Sequence, residues 1–197
     1  MREYRHIPRR ETIMKRFILI FALLFLLAAC EQNPADKITL PVDADGAYTG
    51  FADIPSDLTA SDAAKRGWYV IEEGTLITGT EAWQEFLATS EDGKDAFLRV
   101  AHFIEGETFY TDLYHINETY YFCLNNNGDI TPLGKYTYLR ALTDLWGNPK
   151  KEHTLYVLTD SLELTHHDVT WSHLSSSIYN VTDIPFYWLG FTTYLNE

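Results

Sequence analysis

The stretch AFLRVAHFIEGETFYTDLYHINETYYFCLN, Ala96 to Asn125, decides the fold. Three β-prone runs are separated by two short polar turns, Glu105-Gly106 and Asn117-Glu118. Two-residue loops of this kind join antiparallel neighbours and fix their register. Counting outward from the first loop, Ile104 faces Glu107, His102 faces Phe109 and Leu98 faces Leu113. Across the second, Leu113 faces Phe122 and Tyr114 faces Tyr121. Successive side chains alternate between faces. One face then collects Leu98, Val100, His102, Ile104, Phe109, Leu113, Phe122 and Leu124, and reads as a core face. The other collects Phe97, Arg99, Phe103, Tyr110, Asp112, Tyr114, Tyr121 and Cys123, which are aromatic and polar at once. The same register sets Arg99 opposite Asp112 as a cross-strand ion pair. That charge match supports the register, because a slip of one residue would mix the faces.

Outward from this meander the pattern stays mixed. Trp68–Ile71 and Thr75–Ile77 are short β-prone runs split by Glu72-Glu73-Gly74. A helix follows, capped by Thr78 or Thr80; Thr78 and Glu81 have capping-box spacing. Trp83, Phe86 and Leu87 form its apolar stripe, the natural partner of the core face. Asp92-Gly93 ends it. Downstream, strands are predicted at Lys135–Leu142 and His153–Thr159, around a turn at Trp146-Gly147-Asn148-Pro149. A helix is predicted over Asp168–Ile178, weakened by Ser175–Ser177, and a last strand over Phe186–Leu195. Strands with segregated helices indicate an α+β domain: an antiparallel β-meander sheet packed by one or two helices.

The N-terminus sets the compartment. Lys15 and Arg16 precede an unbroken apolar run, Phe17 to Leu27, then Ala28, Ala29 and Cys30. A basic start, an apolar centre and small residues before a cleavage point make a secretory signal peptide. The run is too short for a spanning helix, which needs about 20 residues. Leu27-Ala28-Ala29-Cys30 resembles the lipobox of bacterial lipoproteins, in which the cysteine thiol takes the lipid. Residues 1–13 read as an extension ahead of a true start at Met14, and 14–29 as the lipoprotein signal. Residues 30–62, rich in acid and proline and without a period, read as a flexible acidic tether. Residues 63–197 read as a single domain. The expected location is the extracytoplasmic face of the cell membrane, with contact through lipid on Cys30.

Removing residues 1–29 leaves nine basic against 26 acidic residues, a net charge of −17, where the whole chain has −13. Such a surface repels nucleic acid and anionic headgroups. Nucleic acid is therefore no expected partner. With Cys30 lipidated, Cys123 is the remaining thiol, and its aromatic strand context marks it as a small buried hydrophobe.

One further pattern is legible in the order of short motifs. Ala64-Lys65-Arg66-Gly67 precedes a strand; Phe86-Leu87, Gly93-Lys94 and Leu98-Arg99-Val100-Ala101-His102 follow; then come Glu105-Gly106-Glu107 and Asp112-Leu113. Over about residues 64–125 this resembles a family of small Bacillus- and Clostridium-type lipoproteins catalogued only as a domain of unknown function. The resemblance implies a Gram-positive envelope setting and carries no catalytic or binding residue.

Catalytic signatures are missing. There is no Gly-x-Ser-x-Gly, no Ser-x-x-Lys and no glycine-rich phosphate loop. His166, His167 and His173 are weak metal candidates, since His-Glu-x-x-His spacing is missing; no metal or other cofactor is expected. His102 reads as a hydrogen-bonded core or edge histidine. Asn117-Glu118-Thr119 and Asn180-Val181-Thr182 match a glycosylation pattern that a bacterial lipoprotein is not expected to use. The aromatics are the better lead. Phe97, Tyr110, Tyr114 and Tyr121 on the mixed face offer a platform for an envelope protein, peptide or glycan partner, unless Phe186-Tyr187-Trp188-Leu189 covers it. The expected role is a non-enzymatic binding or interaction module; the alternative is an envelope hydrolase or metal-dependent enzyme using the His166–His173 region.

Overall fold

The computed structural model describes residues 38–174 and 182–196. Within them the two short turns do what their composition dictates. Glu105, Gly106, Asn117 and Glu118 all have positive φ, the geometry that matches strand twist in a two-residue hairpin. They join β3 (Ala96–Ile104), β4 (Glu107–Ile116) and β5 (Thr119–Asn126). The register is Ile104 with Glu107, His102 with Phe109, Arg99 with Asp112 and Leu98 with Leu113. Across the second turn Leu113 pairs with Phe122 and Tyr114 with Tyr121.

The sheet extends on both sides of this meander. With β1 (Tyr69–Glu72), β2 (Thr75–Thr78) and β6 (Asp129–Ile130), its order is β2-β1-β3-β4-β5-β6, and β7 (Gly134–Tyr136) also pairs with β5. β1 and β2 form a hairpin, and β1 lies parallel to β3. The sheet is thus mixed, mostly antiparallel, rather than a pure antiparallel meander. The chain leaves β2 through helix α2 (Thr80–Glu91) and returns in the direction of β1. Gly79, with φ of 113°, caps α2 rather than Thr78 or Thr80. A Cβ there would stand 2.4 Å from the Tyr69 Cα, so close packing against β1 selects glycine. The α2 stripe lands as its period requires: Trp83 and Phe86 are buried with Leu98, Val100, Leu113 and Phe122, with Leu87 and Leu124 packed around them.

A second, three-stranded sheet has the order β10-β9-β8. β8 (Tyr138–Trp146) and β9 (Lys151–Thr159) form a hairpin around the turn anticipated at residues 146–149; β10 (Phe186–Trp188) pairs with β9. Helix α3 (His166–Leu174) packs on this sheet through Val169, beside Leu155 and Val157. The rest of the helix anticipated over 168–178 lies outside the described residues, as does Asn180. The expected C-terminal strand is short. After Trp188 the chain turns into a 3₁₀ helix, Gly190–Asn196, pinned by Leu189 N–H to Tyr156 O at 2.9 Å and Tyr69 Oη to Phe191 O at 3.1 Å. Leu189 is fully buried.

Residues 38–62 correct the expectation of a spacer. From Ile38 onward this segment packs as a strap over the mixed face of the main sheet. Tyr48 and Phe51 are buried there, with Ile38, Leu40, Ile54 and Leu58 around them. Val42 and Tyr48 close a loop by an isolated bridge. Helix α1 (Ala60–Lys65), capped by the Thr59 side chain on Asp62 N–H, buries Ala60 and Ala63 in the same layer. A strap with no regular structure has no period, so its apolar residues leave no periodic signature.

Candidate functional site

The mixed face holds the most polar part of the core. Asp112 is fully buried and Arg99 nearly so. Arg99 Nε donates to Asp112 Oδ1 at 2.6 Å, and the second fork of the guanidinium reaches Oδ2. Arg99 also donates to the Gly50 carbonyl at 2.6 Å, and the Tyr48 hydroxyl donates to Asp112 and lies 2.9 Å from the Tyr114 hydroxyl. The guanidinium sits 5.0 Å from the Trp68 ring and 5.5 Å from Phe51. Burial lifts the Asp112 carboxyl above its ordinary range, against the pull of Arg99 and Tyr48. Tyr48 is raised far above its ordinary value, first by burial and then by the neighbouring carboxylate. Every group in this knot is satisfied from within the protein, and two of its members come from the strap. It fastens the strap; it is not open to a ligand.

The anticipated aromatic platform is therefore inside. Tyr110 and Tyr114 are buried, Tyr121 is partly buried, and Phe97 remains the exposed member, at 40%. The Phe97 ring lies tilted against Tyr114, centroids 4.6 Å apart. The cover is the strap, not the C-terminal segment Phe186–Leu189, which packs on the opposite side. Cys123 is buried beneath the same layer; its thiol donates to Thr131 O at 3.1 Å, and burial pushes its pKa up.

The histidines divide. His166 lies against His153 of β9, which the sequence did not single out: His153 Nδ1 and His166 Nε2 are 3.0 Å apart. Nothing in local spacing links two residues on different elements. His167 instead faces Trp171, and His173 faces Trp188 with its ring perpendicular at 4.6 Å. Asp168 caps its own helix through Thr165. His166, His167 and His173 do not converge, and among the described residues no three His, Cys, Asp or Glu side chains are arranged to hold a metal ion. Burial, then the His153 imidazole, pushes His166 below its ordinary value. The unfolded chain then binds this proton more tightly than the folded one. The resulting stability is complete above the ordinary histidine value of about 6.5 and is lost as pH falls through the lower folded value. In urea titrations from about pH 7 to about pH 5, the wild-type chain should lose stability more steeply than His166→Gln. Parallel curves would show that His166 is not the group responsible.

The open site lies where the two sheets meet. A cleft of about 310 Å³ is bounded by β3 and β4 on one side and by β10 and the 3₁₀ helix on the other. Cross-strand pairing sets His102 beside Phe109, ring centroids 6.4 Å apart, and Tyr194 closes on His102 at 6.1 Å. Tyr187 and Phe191 add further aromatic wall, and Thr111 and His102 join the phenols of Tyr187 and Tyr194 as the polar side chains. All of these are partly exposed. Among the described residues no charged side chain lines the cleft. Burial pushes the His102 pKa down, and its Nε2 is buried without a hydrogen-bond partner, unlike the bonded histidine anticipated. Sequence reasoning placed His102 and Phe109 on the right face. It missed Tyr187, Phe191 and Tyr194, because their approach depends on a long-range docking of the C-terminus that no local pattern encodes. Comparison of the chain with protein-family models, with curated proteins and with solved structures finds no match in any of the three.

Proposed function

We propose that this chain is a lipid-anchored, extracytoplasmic binding module whose ligand site is the cleft between the two sheets. The observation that carries the reading is the cleft itself: concave, uncharged, walled by partly exposed aromatic rings, with a few neutral polar groups among them. Sites for small ligands have this composition. The anchor rests on the leader and on Leu27-Ala28-Ala29-Cys30. Acyl chains contribute about 0.8 kcal/mol per buried CH₂, so a multiply acylated cysteine holds firmly. Among the described residues no helix is long and apolar enough to cross a membrane. Because the folded strap starts at Ile38, eight residue steps separate it from Cys30, a reach of at most about 28 Å.

Two measurements test this. Metabolic labelling with palmitate should mark the wild-type protein and fail in Cys30→Ala; equal labelling of the two refutes the anchor. The purified lipoprotein in nonionic detergent, screened by two-dimensional NMR against saccharides, short peptides and small organic cations, should give shift changes at His102, Phe109, Thr111 and Tyr194. Silence at those residues across the whole panel refutes the cleft.

A further inference from the structure

We infer that the cleft takes a small organic cation of the quaternary-ammonium type, an inference that rests on the binding-module reading and narrows it. Aromatic ring faces carry negative quadrupole charge and attract a cation placed over them. Phe109, Tyr187, Phe191 and Tyr194 supply four such rings around one space.

The polar inventory sharpens the class. A primary ammonium brings three N–H donors that need acceptors. Here the side-chain acceptors are all neutral, the Thr111 hydroxyl, the His102 ring and the Tyr187 and Tyr194 phenols, and no carboxylate lines the cleft to offset the lost hydration of a buried –NH₃⁺. A quaternary ammonium has no N–H and presents methyl groups that lie directly on rings. An anion finds no basic residue in the wall, and the chain around it is acidic. Glu73 lies at the His102 end, its N–H bonded to the Phe103 carbonyl at 2.9 Å, and its carboxylate is fixed there by accepting the Glu105 N–H at 2.9 Å. A neutral apolar guest would use the rings but gain nothing from Glu73 or from the acidic surround.

Calorimetry on the lipoprotein in nonionic detergent supplies the test, with choline and its neutral shape-mimic 3,3-dimethyl-1-butanol as probes. Choline should bind at least about tenfold more tightly, since only charge separates the two. Tyr194→Leu and Phe109→Leu, which keep apolar bulk, should each cut that preference about threefold or more, and Glu73→Gln should weaken choline while leaving the alcohol unchanged. Equal affinities, or a preference untouched in both leucine variants, overturn the inference. A quaternary ammonium reaches an envelope protein as a free solute or as a phosphatidylcholine headgroup. Tighter binding of either choline or monomeric dihexanoyl phosphatidylcholine supports the class and assigns the source; failure of both overturns it. If neither binds while a saccharide or peptide still shifts His102 and Tyr194 in the NMR screen, the ligand class is wrong and the binding cleft stands. Silence from every compound removes both.

Discussion

Asp112→Ala is expected to lower the free energy of unfolding by about 3–5 kcal/mol, the cost of breaking a buried ion pair from one side. Asp112 has no exposed surface, accepts from both forks of Arg99, and is the acceptor for Tyr48. Its removal leaves a guanidinium that is only slightly exposed with the neutral Gly50 carbonyl as its acceptor and no counter-charge, and leaves the buried Tyr48 hydroxyl with the Tyr114 hydroxyl alone. The pair itself is not the source of the stability. Most of the cost is that of leaving a charge unmatched, so Arg99→Met combined with Asp112→Leu should recover a large part of the loss. The two curves come from urea titration, read as midpoint shifts at constant slope. A double variant no better than the single would mean that the pair is worth more than its burial costs. Amide exchange adds a spatial readout. Strap residues 41–58 hang on Asp112 through Tyr48 and on Arg99 through the Gly50 carbonyl. They should exchange faster in Asp112→Ala, ahead of β3 and β4. An unchanged strap would place the damage elsewhere.

This knot also shows how far the sequence could be read. The pairing of Arg99 with Asp112 followed from turn length and strand alternation alone, because both act over a few residues and the two turns allow one register. The same logic placed Trp83 and Phe86 against Leu98, Val100 and Leu113. What failed was everything set by contact between distant segments. The strap looked like a tether because its apolar residues, Leu40, Tyr48, Phe51 and Leu58, follow no period, and composition alone rated the stretch as unable to bury itself. It is ordered by a sheet face that demands cover. That face looked like a recognition surface for the same reason: Tyr110 and Tyr114 are amphipathic, and only knowledge of the strap turns them into core. The parallel pairing of β1 with β3 was likewise hidden, since a hairpin and a helix intervene between the partners. At the site, no local pattern announces that His102 and Phe109 meet Tyr187, Phe191 and Tyr194, or that His166 finds His153.

The second large effect is expected at Trp83, whose truncation to alanine should cost about 3–5 kcal/mol, the range for removing a large aromatic from a close-packed core. Trp83 is 2% exposed. Its ring stacks on Phe86 at 6.0 Å and meets Tyr156 and Phe191 nearly edge-on at 5.1 and 5.5 Å. Those neighbours belong to α2, to the second sheet and to the 3₁₀ helix, so a single side chain closes the junction between both sheets and the C-terminus. Trp83→Phe keeps a ring in the site and should cost well under half as much. The consequence extends beyond stability. Phe191 packs on Trp83 while also lining the cleft, so the cavity left in Trp83→Ala frees one wall of the site from its support. Under conditions where the variant is still folded, the cleft residues Phe191 and Tyr194 should broaden in NMR spectra while the β3–β4 hairpin stays sharp. Uniform broadening, or a stability loss below about 1 kcal/mol, would mean that the junction is held by something other than this indole.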